Sequence, residues 1–310
     1  MQFVISNACD GMLLRQYLQQ HLHLSSKMMR HLKFLPDGIT VNGTHVTVRY
    51  RLCQGDCLRL RIEDEAYADI QPVDLPVQIL YEDEDIVVPN KPADMPTHPS
   101  CNHHEDTLAN ALLFRYRGLE TPFVFRPINR LDRNTSGLLL IARNRPAAGR
   151  LTSFMQSGRI KKSYLAVLEH EMSGTGGTID LCLHRTAQSV ILREVCSPDA
   201  PDADEAHTRY EVLLKNDRYT LVRAYPLTGR THQLRVHFAA IGHPIVGDDL
   251  YGKPSDLIGR HALHAHSLSF PHPADESEMR LAAELPTDFL HLLKVCFPDS
   301  SLADLLKELS

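Results

Sequence analysis

The chain has 310 residues, 43% of them apolar, and a formal net charge of −5. That length allows two domains, or one large domain with an appendage, and the apolar fraction is that of a globular protein with a real core. The longest apolar run, Gly137 to Ala142, is too short to span a bilayer, and Met1-Gln-Phe-Val-Ile-Ser lacks the basic and apolar regions of a secretory signal. A soluble, cytoplasmic protein is expected. The seven cysteines form no Cys-x-x-Cys pair, so reduced thiols are the default.

Residues 11 to 35 read as two short helices. Leu13, Leu14, Tyr17 and Leu18 fall at helical spacing, and Ser25-Ser26 is a capping signal for a second helix carrying Lys27, Arg30 and Lys33. Pro36-Asp37-Gly38 is a turn, and Ile39 to Gly43 is a strand closing on an Asn-Gly hairpin turn. Val46 to Tyr50 and Cys57 to Ile62 read as further strands. Two helices, Gly-Ile-Thr-Val-Asn-Gly and a Gly-Asp before a last strand resemble the S4 RNA-binding domain. The segment holds eight Lys and Arg against five acids. The resemblance implies an RNA-binding unit at 1–64, with Lys27, Arg30 and Lys33 among its contacts.

A polar, acidic stretch bracketed by Pro72 and Pro76 reads as a linker over 65–76, leaving 77–310 as the main domain. Val77 to Tyr81 and Asp85 to Pro89 are predicted strands. Asp106 is the expected N-cap of a helix with Leu108, Ala111 and Leu112 on one face. Strands and helices then alternate without a regular βα period, so the expected class is α+β with a mixed, mostly antiparallel sheet. Ser197 to Ala206 reads as an exposed loop.

Charge is distributed unevenly. Between Arg126 and Lys162 stand Arg126, Arg130, Arg133, Arg143, Arg145, Arg150, Arg159, Lys161 and Lys162, and Asp132 is the one acid among them. A lone carboxylate in a long cationic field fits an anionic substrate, with phosphate contacts supplying affinity but no sequence information. Taken alone, a carboxylate beside two arginines is better read as a structural ion pair.

Four segments in order change that balance. Arg126-Pro-Ile-Asn-Arg-Leu-Asp-Arg-Asn-Thr-Ser-Gly-Leu-Leu-Leu contains Asp132. Arg159-Ile-Lys-Lys-Ser-Tyr-Leu-Ala contains Tyr164. Gly229-Arg-Thr-His-Gln-Leu-Arg-Val-His follows, and then Leu263-His-Ala. Together they resemble the RluA-type pseudouridine synthase family, and Leu80-Tyr-Glu-Asp-Glu and Asn90-Lys-Pro upstream resemble the start of its catalytic domain. The likeness runs over residues 77 to 290, and an N-terminal S4 domain is a common companion.

The resemblance implies an isomerase that needs no cofactor and no metal, and that converts uridine to pseudouridine in structured RNA. Large-subunit ribosomal RNA is the foremost target, transfer RNA is a further one, and a monomer is expected. It implies that Asp132 is the nucleophile or general base at the glycosidic bond, and that Arg230 is its basic partner. Tyr164 stacks on the extruded uracil, with a hydroxyl placed for proton handling at carbon 5. Arg130 fills the space left by the flipped base, offsetting part of the few kcal/mol that flipping costs. Leu263 lines the apolar wall of the pocket, while Lys162 and Arg133 complete the substrate and RNA contacts. Two positions depart from the family pattern: Asn129 replaces the usual His before Arg-Leu-Asp, and Asn134 replaces a common acid.

Three other readings compete. His98, Cys101, His103 and His104 have the look of a metal site but lack a second paired cluster. A non-catalytic RNA-binding or maturation protein on a synthase fold would keep the basic field without the chemistry. The small-subunit type of synthase also carries an S4 domain, but its basic block reads Gly-Arg-x-Arg-Gln rather than Gly229-Arg-Thr-His-Gln233. No Gly-rich phosphate loop or dinucleotide fingerprint is present.

Overall fold

The computed structural model describes residues 2–309 apart from 23, 25, 62–69, 101, 121, 188 and 190. Ser25 of the expected capping pair, Cys101 of the metal-like cluster and the first part of the expected linker lie outside the described residues.

The N-terminal elements are β1 (Gln2–Val4), α1 (Leu14–Gln20), α2 (Ser26–Phe34), β2 (Ile39–Val41), β3 (Thr44–His45) and β4 (Cys57–Leu60). The strands form an antiparallel sheet in the order β1-β4-β2-β3. It has its own apolar cluster, which includes Leu14, Leu18, Leu32, Ile39, Leu52, Leu58 and Leu60. Asn42 and Gly43, at φ 51° and 80°, supply the two left-handed residues that a tight hairpin between β2 and β3 requires. The strand expected over Val46 to Tyr50 is absent. The carbonyls of Val48 and Tyr50 instead accept from the N–H groups of Arg15 and Leu14, satisfying the open first turn of α1.

The remaining elements are β5 (Gln78–Glu82), β6 (Ile86–Lys91), α3 (Leu108–Arg115), β7 (Arg126–Pro127), β8 (Ser136–Leu138), β9 (Ile141–Ala142), α4 (Arg145–Gln156), β10 (Lys161–Glu169), β11 (Gly176–Arg185), β12 (Arg193–Cys196), β13 (Asp204–Lys215), β14 (Tyr219–Pro226), α5 (Gln233–Ala240), β15 (Leu263–Pro271), β16 (Glu278–Ala282), α6 (Thr287–Cys296) and α7 (Ser300–Leu309). Among the described residues twelve strands make one mixed sheet, running β12-β11-β13-β14-β10-β15-β8-β6-β9-β7, with β16 on β15 and β5 on β6. Every pairing is antiparallel except β8 with β15. The class is α+β with a mostly antiparallel sheet, as the irregular alternation of elements predicts.

Two further local expectations are corrected. Thr107, not Asp106, caps α3: its hydroxyl accepts from the Asn110 N–H, while Asp106 bonds to His103. The loop after Ser197 is shorter than expected, because Asp204 already pairs with Leu183 as the first residue of β13. Of the expected linker, Ile70 and Leu75 pack against the main core and Val73 N–H bonds to Asn110 O at 3.2 Å, so residues 70–76 follow the domain surface.

The central strand β10 is buried from Ser163 to Leu168, between β14 and β15. Its register against β15 shifts between Ser163 and Tyr164, where β15 carries one extra residue, His266. Gly137 makes the parallel β8–β15 contact possible. Its φ is +115°, and a Cβ there would lie 2.2 Å from Ala265 O.

Candidate active site

The turn bearing Asp132 connects β7 to β8, and its backbone is anchored at successive carbonyls. Leu131 O accepts from the Thr97 hydroxyl at 2.9 Å, and Asp132 O from Thr135 N–H at 3.1 Å. Arg133 O accepts from Lys91 Nζ at 3.0 Å, and Asn134 O from Arg260 Nη1 at 3.2 Å. The side chains that follow are fixed too: Thr135 bonds to His261 at 2.8 Å and Ser136 to His264 at 2.9 Å. Asn129 Oδ1 accepts from the Leu140 N–H at 2.8 Å, so the amide standing where an imidazole was expected braces the strand after the turn.

Lys91 is among the largest fully buried side chains of the described residues. Its ammonium donates to Pro92 O, Met95 O and Arg133 O, three acceptors for three N–H groups. Burial pushes its pKa down to about 7, against the pull of Asp132. Among the described residues it is a hidden cation beneath the turn, and nothing in the Asn90-Lys-Pro motif marked it as part of the site.

A cleft of about 1140 Å³ opens above this turn. Asp132, Tyr164, Arg230, Arg130, Leu263, Lys162 and Arg133 all line it, so the residues expected from widely separated segments meet at one place. Among the described residues its charged lining is Arg130, Arg133, Lys161, Lys162, Arg209, Arg230 and Arg235 against the single carboxylate of Asp132. Leu263 and Tyr164 are buried in its wall. Burial, with the charge of Asp132 adding to it, pushes the Tyr164 phenol well above its ordinary pKa, so the ring stays neutral and protonated. Lys162 is drawn below its ordinary value by burial.

The arginine facing Asp132 differs from the one expected. Arg230 forms an ion pair with Asp204 at 2.9 Å and donates through Nε to Glu205 O at 3.0 Å. Arg235 instead places Nη1 3.6 Å from Asp132 Oδ2, and is itself held by Asp248 through bonds of 2.8 and 2.7 Å. The helix boundary explains the exchange. His232, at φ 56°, ends the loop in a left-handed turn, and Arg235 falls within the first turn of α5, while Arg230 stays in the loop. Gln233 secures that loop by accepting from the Arg230 N–H and the Thr228 hydroxyl, and by donating to His207 O and Thr208.

The other expected RNA contacts are spread out. Arg133 bonds to Asp94 at 2.8 Å and lies 3.3 Å from His103. Arg30 and Lys33 are exposed on α2, with Lys33 over the ring of exposed Phe34, and the side chain of Lys27 lies outside the described residues. Among the described residues no cluster of His, Cys, Asp or Glu has the arrangement of a metal site, and no helix is long and apolar enough to cross a membrane.

A family model described as RNA pseudouridylate synthase matches residues 85–240, which include Asp132, Tyr164 and Arg235. The chain is 38% identical over 276 residues to the uncharacterized RNA pseudouridine synthase YjbO of Bacillus subtilis, covering 88% of this chain and 95% of that relative. It is 34% identical over 278 residues to ribosomal large subunit pseudouridine synthase D of Xylella fastidiosa, covering 85% and 82%. The solved structure of human RNA pseudouridylate synthase domain containing 1 superposes with a TM-score of 0.59 at 29% identity, over 76% of this chain and 94% of that one. A cationic cleft around one anchored carboxylate, on a fold and a sequence shared with these proteins, leads to one conclusion: this chain belongs to the RNA pseudouridine synthase family, isomerases that convert uridine to pseudouridine in RNA.

Proposed function

We propose that the chain modifies uridine in large-subunit ribosomal RNA, with Asp132 as the reacting carboxylate. The observation that carries this reading is the meeting, among the described residues, of one carboxylate on an anchored turn with seven cations in a cleft that also presents a buried tyrosine and leucine. The cations suit the RNA backbone. The Tyr164 ring and Leu263 suit one extruded pyrimidine, and Arg130 suits the gap it leaves in the stack. Attack on the ribose, attack on the ring and removal of a sugar proton all begin from the carboxylate of Asp132. Several relatives carry the name of a large-subunit ribosomal enzyme, which favours that RNA over transfer RNA.

In this reading residues 1–64 are an S4-like RNA-binding unit, 65–76 connect it to the catalytic domain at 77–310, and Lys27, Arg30 and Lys33 contact RNA. Pseudouridine mapping of ribosomal and transfer RNA from a strain lacking the gene tests the target: a site lost from the large-subunit RNA and restored by the wild-type gene supports it, and a loss confined to transfer RNA overturns it. Asp132→Ala should restore no site while still binding RNA. If Asp132→Ala restored modification, the carboxylate assignment would fall.

A further inference from the structure

His232 stands in the Gly229-Arg-Thr-His-Gln block, and its surroundings give it a direction. Its side chain is 10% exposed on the cleft wall, and its Nε2 lies 3.9 Å from Asp132 Oδ2. The other ring nitrogen, Nδ1, lies 2.8 Å from the Tyr251 hydroxyl. That hydroxyl accepts the Arg193 backbone N–H at 3.0 Å. Its own proton then has Nδ1 as the acceptor, since no other acceptor bonds it among the described residues. A neutral imidazole that accepts at Nδ1 carries its proton on Nε2. The proton therefore faces the carboxylate.

The imidazole stays neutral in its setting. Burial lowers its pKa, and the positive charges of Arg235 and Arg193 act with burial against the pull of Asp132 and Asp248. His261, a further titratable neighbour, is itself held neutral, chiefly by burial. Arg235 and His232 approach the same oxygen, Oδ2, from one side of the turn.

We propose that His232 is a positioning residue for the reaction: Tyr251 fixes its tautomer, and its Nε2–H joins Arg235 on Oδ2 of Asp132, leaving Oδ1 to the substrate. The proposal rests on the reading of Asp132 as the reacting carboxylate. At 3.9 Å the contact is longer than a hydrogen bond, and catalytic contacts of this kind tighten when the substrate closes the site.

The test uses the full chain, an RNA that the wild type modifies, and four variants. His232→Ala should lower kcat about 10- to 100-fold, the scale of a misplaced reacting group, with KM for RNA within about twofold. His232→Gln, whose amide N–H reaches the place of Nε2–H, should recover most of that loss. Tyr251→Phe should fall between wild type and His232→Ala. Nitrogen-15 spectra of the histidine rings, with His232 assigned by its absence from His232→Gln, should show the Nε2–H tautomer in wild type and a mixture in Tyr251→Phe.

An Nδ1–H tautomer in wild type, or a His232→Ala enzyme within threefold of wild type, overturns the proposal. So does a loss that His232→Gln does not recover while the protein melts normally. If His232→Ala does not fold, the kcat and tautomer of Tyr251→Phe decide the question. An active Asp132→Ala would instead sink the reading of the carboxylate, and the two failures are separate measurements.

Discussion

Asp248 grips Arg235 through both carboxylate oxygens, and by doing so turns the third guanidinium nitrogen toward Asp132. Both partners are almost fully buried, and Asp248 also accepts the backbone N–H groups of Leu250 and Tyr251. Breaking such a pair leaves an uncompensated buried charge. Asp248→Ala should therefore lower stability by about 3–5 kcal/mol. Asp248→Asn, which keeps the shape, should melt closer to wild type yet still lose kcat, because its amide cannot hold the guanidinium in the same fork. Thermal melts and single-turnover rates on both variants check this.

The exchange of Arg230 for Arg235 gives a contrast between two arginines five residues apart. Arg235→Met should abolish turnover nearly as fully as Asp132→Ala. Arg230 faces the cleft from an ion pair with Asp204 and is 41% exposed. Arg230→Met should act mainly on RNA binding, raising KM and reducing the salt slope of log K by about one. A large kcat loss in Arg230→Met with unchanged KM would reverse the assignment.

Lys91 ties the 92–95 turn to the Asp132 turn through Met95 O and Arg133 O. Lys91→Met fills the same space without the donors and strands buried carbonyls, at about 1–3 kcal/mol for each group left unsatisfied. Its melting temperature should drop by several degrees and its kcat should fall with it. Because Lys91 loses its proton near pH 7 in the folded chain and only near 10.5 when unfolded, its contribution to stability rises with pH across that window. The wild-type slope of stability against pH above 7 should flatten in Lys91→Met.

Acid should loosen the same turn from the other side. Burial pushes His261 and His264 down to about 3 and His237 to about 4, against an ordinary value of 6.5. The Nε2 atoms of His237 and His264 are buried with no hydrogen-bond partner among the described residues. An unfolded chain takes up these protons as pH falls through about 6.5, and the folded chain only far lower, so stability is lost as pH drops through that interval. Melting temperatures from pH 7.5 to 4.5 should fall steeply below 6.5, and His264→Gln should show a shallower fall.

Gly137 offers a purely steric test. Any side chain there meets the Ala265 backbone at 2.2 to 2.7 Å and must adopt a φ of +115°. Gly137→Ala should separate β8 from β15 and destabilise the protein by about 1–3 kcal/mol or more. Activity should be lost before the fold is, because β15 begins at Leu263 and β8 leads directly out of the Asp132 turn.

The site residues named from sequence sit together because each stands in a segment whose order and composition resemble one family. What those segments could not supply was orientation. In Gly229-Arg-Thr-His-Gln-Leu-Arg, two arginines compete for one carboxylate, and the choice depends on a left-handed residue at His232 that no residue type announces. Lys91 was hidden for another reason: its neighbours Ile86 to Val88 read as a buried apolar strand, and a lysine at the end of such a strand ordinarily turns to solvent. Carbonyls from distant loops make its burial tolerable, and sequence spacing carries no trace of them. In the N-terminal unit the helices and the Asn-Gly hairpin were legible, whereas the loss of the strand at Val46 to Tyr50 follows from helix α1 needing acceptors across the sequence.

Four consecutive carbonyls of the Asp132 turn are already bonded within the protein, to Thr97, Thr135, Lys91 and Arg260. Little backbone freedom remains there for an incoming RNA to reshape. If residues 1–64 bind RNA as proposed, choice of target falls to the rim and that N-terminal unit, while the turn itself is set during folding. A lineage can therefore drift from one uridine to another by altering those outer surfaces, with the reacting group untouched.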